Sequence, residues 1–167
     1  MNPRLRISFY LYLFLVLMLF TTGLFYLATP TVMPYHHQAI GIPWTDVAFG
    51  ERVLLWVLVK VTGGFQALLA IAMALILLFP FRRGESWAVV AVPLLGVMAN
   101  GVGLWATLLV NDRTGAGTPW PVGLVAMAML FTAIAFSMDL KRLLHAAREW
   151  MHHPGFHRGA PHAHRGV

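Results

Sequence analysis

Residues 29–66 read TPTVMPYHHQAIGIPWTDVAFGERVLLWVLVKVTGGFQ, and the change of character within them decides the fold. The first part holds Pro30, Pro34, Gly41 and Pro43, which no long helix accommodates. The second part is an apolar run interrupted by Lys60 and by Gly63-Gly64-Phe65-Gln66. A lysine and a glutamine inside a membrane-length apolar segment are costly unless they find partners or water. This stretch therefore predicts a polar loop on the membrane surface, leading into a transmembrane helix with a polar face.

The rest of the chain agrees. Of 167 residues, 59% are hydrophobic and 11% charged, with a mean hydropathy of +0.71, whereas a soluble domain carries about a quarter charged residues. The net charge of +6 and pI near 10.5 do not form a nucleic-acid patch, because the cations sit at the ends of apolar runs. With 0 Cys there is no disulfide framework and no thiolate or CxxC chemistry.

Outward from the loop, four apolar segments are expected to span the membrane, at about 7–28, 53–79, 87–110 and 121–138. The first follows Arg4 and Arg6. It is longer than a secretory h-region and precedes Thr29-Pro30 without a small-x-small cleavage site, so it reads as an uncleaved helix. Thr21, Thr22 and Gly23 near its end suit helix packing. Pro80 to Glu85 reads as a tight turn with two arginines, a kink is expected near Pro93, and Asn111 to Thr118 reads as a short polar loop.

The expected fold is an all-α membrane protein: a four-transmembrane-helix bundle over 1–138, with an outward interfacial loop. A C-terminal cytoplasmic amphipathic helix follows at 139–151, where Leu140, Leu143, Leu144 and Ala147 alternate with Lys141, Arg142, His145 and Arg148. Residues 152–167 read as a disordered, His-rich tail.

Orientation follows from charge. Arg4, Arg6, Arg82, Arg83, Lys141 and the later arginines share one side, against Arg52 and Arg113 on the other, which places both termini in the cytoplasm. The two outward loops end alike, in Ile42-Pro43-Trp44 and Thr118-Pro119-Trp120. The expected location is a bacterial inner membrane. The expected partners are the lipid bilayer and a larger membrane complex or a second copy, not nucleic acid.

No nucleophile–base pair, paired carboxylates, P-loop or GxGxxG unit is present, so a non-enzymatic role is expected. Lys60, Gln66, Asn100 and Thr107, with Tyr35 and His36 above them, form a candidate polar pocket facing the outer leaflet for a lipid, a quinone or another amphiphile. The bland alternative is a lysine snorkelling to the interface and amides bonded between helices. His36-His37 is a poor metal site, since adjacent side chains diverge and no carboxylate motif accompanies them. His152, His153, His157, His162 and His164 have a better metal-binding composition, although such a tract is equally compatible with simple solvation. No histidine lies within a span, which disfavours bis-histidine haem ligation.

The order Met33-Pro34-Tyr35-His36, Pro43-Trp44, Lys60-x-x-Gly63, Thr114-Gly115-Ala116 and Thr118-Pro119-Trp120 resembles a group of short four-helix bacterial inner-membrane proteins of unknown function. The resemblance covers roughly 10–140 and implies topology but no activity. DoxX-like proteins are similar in architecture alone. Two function classes follow. One is an accessory subunit or amphiphile binder; the other is a small carrier or metal-handling protein using Lys60 and the His-rich tail.

Overall fold

The computed structural model describes residues 3–116 and 119–151, and every regular element among them is helical. Helix α1 covers Pro3–Ala28, and the short α2 covers Pro34–Ile40. Helix α3 covers Phe49–Ile76 and passes into a π-helical turn at Leu77–Phe81. Helix α4 covers Ser86–Thr114 and α5 covers Pro119–Met151. Among the described residues, three stretches are long and apolar enough to cross a membrane: Arg6–Ala28, Phe49–Phe81 and Ser86–Thr114.

Several boundaries differ from the sequence expectation, each for a local reason. The second apolar helix continues past Phe79 because the wider π turn takes in Pro80, whose ring would collide with a carbonyl in an α turn. The chain then reverses at Gly84, whose φ of 80° is in the left-handed region, with its N–H bonded to the Phe81 carbonyl at 2.9 Å. Helix α4 runs through the buried Pro93 and continues to Thr114, so Asn111 to Thr114 are helical. It ends where Gly115 adopts φ 66° and donates to the Asn111 carbonyl. After α2, the Asp46 N–H closes a turn on the Pro43 carbonyl, and α3 starts after Ala48 with no side-chain cap.

Residues 139–151 belong to the same continuous helix as the fourth apolar segment. Asp139 is buried there and accepts a 2.8 Å hydrogen bond from the buried Ser8 hydroxyl of α1. The Tyr12 hydroxyl, one turn further along α1, lies within electrostatic reach of the same carboxylate. The His-rich tail and its five candidate metal ligands lie outside the described residues.

Helix α1 packs against α3 on one side and α5 on the other, and α4 packs on α5. Helices α3 and α4 meet little beyond the turn that joins them. The α1–α3 crossing is a backbone contact. A Cβ at Gly63 would lie 2.6 Å from the Tyr26 Cβ and 2.8 Å from the Gly23 carbonyl oxygen; one at Gly23 would lie 2.7 Å from the Ala67 nitrogen. Small residues allow this approach, which supplies the dispersion energy that lipid cannot. The neighbouring Gly64 meets nothing within 4 Å, so Gly63 alone of the pair serves the crossing.

Toward the end of the bundle where α1 begins, the interior is solid. Phe9, Tyr12, Met73, Leu77, Phe81 and Val92 interlock there, with Tyr12 edge-on to Phe81 at 5.6 Å. Toward the other end the inward positions of α4 are mostly small or polar, and the bundle is hollow. Outward positions are large and apolar throughout, with Phe65, Leu68, Val102 and Trp105 all more than half exposed. An apolar exterior of this kind suits lipid contact.

Candidate functional site

The hollow end is a cavity of about 920 Å³ walled by α1, α3, α4 and α5 and overlain by α2. It exists because of what faces it. On α4 the inward row is Gly96, Asn100, Gly103, Thr107, Val110 and Thr114, spaced by three and four residues along one face. On α3 the row includes Leu55, Val59, Thr62 and Gln66. Two glycines, two threonines and an asparagine on α4 leave unfilled the space that leucines would occupy.

Of the six residues expected to form a polar pocket, Tyr35, His36, Gln66, Asn100 and Thr107 line this cavity. Lys60 stands apart from them. Its ammonium turns away from the cavity to the C-terminus of α1, where it donates to the carbonyls of Tyr26 at 3.3 Å, Leu27 at 2.7 Å and Thr29. The last turn of a helix leaves its carbonyls without intrahelical partners and carries partial negative charge. Lys60 meets both needs from a neighbouring helix, with the Trp56 ring 5.2 Å away.

The amides of Gln66 and Asn100 do not bond one another as an interhelical pair. Asn100 Nδ2 donates to the Gly96 carbonyl of its own helix at 2.7 Å. The hydroxyls of Thr62 and Thr107 likewise donate to their own helices, to Leu58 and Gly103 at 2.8 Å. Their oxygens keep lone pairs on the cavity wall. Gln66 Oε1 is buried and has no hydrogen-bond partner. A buried acceptor left unsatisfied costs about 1–3 kcal/mol, a local cost of placing an amide at this wall.

One residue that the sequence did not single out, Tyr26, completes the hollow end. Tyr26 of α1 and Tyr35 of α2 share a hydroxyl–hydroxyl hydrogen bond, and the His36 ring lies 4.2 Å from the Tyr35 ring and 6.3 Å from that of Tyr26. The helical spacing of Asn100 and Thr107 with Gly96 and Gly103 was a usable signal for the α4 wall. Tyr26 gave none, because its role depends on how the loop folds back.

His36 is held by its backbone surroundings. Pro34 starts α2, and the Met33 N–H donates to His36 Nδ1 at 3.2 Å, which requires that nitrogen to be unprotonated. Burial, and then the nearby His37, pushes the imidazole below its ordinary 6.5. A histidine disfavoured as a cation in the fold contributes stability above the unfolded-state value and loses it as pH falls through the lower folded value. Melting of the detergent-solubilised protein should therefore shift to lower temperature as pH drops below about 6.5. The drop should be smaller in His36→Gln, and an equal drop in both would remove His36 from this role.

The fold and cavity define a class, an α-helical protein with membrane-length apolar helices around a partly open cavity. No protein-family model, curated protein or solved structure matches the chain.

Proposed function

We propose that this chain is a bacterial inner-membrane protein with four transmembrane helices and both termini in the cytoplasm. Its role is to bind an uncharged, hydroxyl-bearing amphiphile, such as a quinol or a neutral lipid, without enzymatic turnover. The chamber carries this reading: about 920 Å³, with no Asp, Glu, Lys or Arg among the described residues that line it, and with Thr62, Gln66, Asn100 and Thr107 on its wall. Volumes of about 300–1,000 Å³ suit small-molecule ligands. A wall without a permanently charged side chain disfavours an ionic headgroup. The hydroxyl oxygens of Thr62 and Thr107 keep lone pairs that can accept from a ligand hydroxyl, and the leucines and valines around them suit a hydrocarbon tail.

The test is to fill the chamber. A Cβ at Gly103 meets nothing within 4 Å, so Gly103→Leu should fold, with up to about 1 kcal/mol gained in helix propensity. Added decyl-hydroquinone should raise the melting temperature of the unmodified protein in neutral detergent, as a ligand specific for the folded state does. In Gly103→Leu that rise should shrink to what bulk detergent partitioning gives. Equal rises in both would reject the chamber as the binding site.

A further inference from the structure

A second site is carried by a different observation, at the opposite end of the bundle from the α2 loop. Arg6, Phe9 and Tyr10 of α1 and Arg82 from the α3–α4 turn line one cleft of about 570 Å³. The Arg82 guanidinium carbon lies 5.9 Å from the centre of the Phe9 ring. Phe9 is buried, with the Phe81 ring 6.4 Å away, so it gives the Arg82 guanidinium a fixed aromatic face to lie against. Arg6 lies about one turn before Phe9 and Tyr10 on the same helix. Two guanidiniums and a phenol thus line a single concavity.

Neither arginine forms an ion pair among the described residues, where the salt bridge is Arg113–Asp112. The nearest acidic residue in sequence, Glu85, instead accepts from the Trp87 indole at 2.7 Å. The cleft lies where the apolar stretch Arg6–Ala28 begins and Phe49–Phe81 ends, which is the headgroup level if these helices span. Beyond it, both helices expose apolar side chains, Phe14 and Leu17 on α1, Leu75 and Leu78 on α3 and its π turn. We infer that this cleft binds the phosphate of an anionic phospholipid, held between Arg6 and Arg82, with its acyl chains along the exposed faces of α1 and α3. Arginine suits this because its planar fork matches phosphate oxygens two at a time.

The experiment is native mass spectrometry of the full-length protein in neutral detergent, titrated with phosphatidylglycerol or with phosphatidylcholine of the same chains. The unmodified protein should favour phosphatidylglycerol by roughly tenfold or more, as two interfacial arginines imply. Arg6→Gln with Arg82→Gln should abolish the preference, and Arg82→Lys alone should retain part of it. Unchanged helical circular dichroism and lipid-free melting establish that the variants are folded; should the double variant fail this, Arg82→Gln alone is read in its place. A preference that survives in the folded Gln variant overturns the proposal. So does displacement of the lipid by millimolar inorganic phosphate, which would make this a site for the free anion.

Discussion

A Gly63→Leu chain should lose about 3 kcal/mol or more of stability, the upper range for forcing bulk into a packed contact. The reason is geometric. Even a first carbon at Gly63 would lie 2.6 Å from the Tyr26 Cβ and 2.8 Å from a backbone oxygen of Gly23, and neither atom is the tip of a flexible side chain. Helices α1 and α3 would have to separate along their whole crossing, and the α1 wall of the chamber would move with them. Gly64→Leu is the matched control, because the same carbon there meets nothing within 4 Å. Thermal or denaturant unfolding in detergent should show the first variant strongly destabilised and the second close to unmodified. Similar behaviour in both would mean that the crossing is not as close as described.

The second large effect is expected at Lys60. A lysine that merely snorkels is neutral or slightly favourable to remove, whereas Lys60→Met here strips the carbonyls of Tyr26, Leu27 and Thr29 of their shared donor. Hydrogen bonds to a charged group are worth about 1.5–3 kcal/mol in total effect on truncation, and access of interfacial water sets the expectation at about 2 kcal/mol. Hydrogen exchange distinguishes this from a diffuse loss. The amides of the last turn of α1 should exchange faster in Lys60→Met, while those of the solid core around Phe81 and Val92 stay protected. A variant as stable as the unmodified protein, with unchanged exchange, would return Lys60 to the snorkelling role.

Much of this was legible in residue order. Long apolar runs gave the membrane-length helices, and Pro30, Pro34, Gly41 and Pro43 marked the break between α1 and α3. The polar character of Gln66, Asn100 and Thr107 marked the interior face that lines the chamber. Lys60 was legible as a residue needing a partner but not as a cap for α1, because its acceptors are backbone carbonyls and every residue has one. Asp139 read as the first residue of a surface helix. Only the packing of α5 against α1 shows that Ser8 buries it. The hollow itself arises from an absence of bulk on α4, and Gly96 and Gly103 look in sequence like any helix-packing glycines. What distinguishes them is that no neighbouring backbone comes close, with Thr132 side-chain atoms 3.6 Å from a Cβ at Gly96 and nothing near Gly103.

The chamber also gives the α2 segment a purpose in the account. Tyr35 and His36 lie over its end, and the Tyr26–Tyr35 hydroxyl pair ties α2 to α1 close to the carbonyls that Lys60 caps. Loss of the cap, protonation of His36 and opening of the α1–α3 crossing should therefore all disturb the same end of the bundle. The solid end around Phe9, Tyr12 and Phe81 would be left intact.

The central claim is that the chamber holds a neutral amphiphile, and native mass spectrometry of the full-length protein, extracted gently from its own membrane, tests it most directly. The account predicts a single bound species of a neutral, hydroxyl-bearing lipid on the unmodified protein and its absence from Gly103→Leu prepared in the same way. An unmodified protein that carries no such species while its phospholipid adducts survive, or an identical species on both proteins, would contradict it.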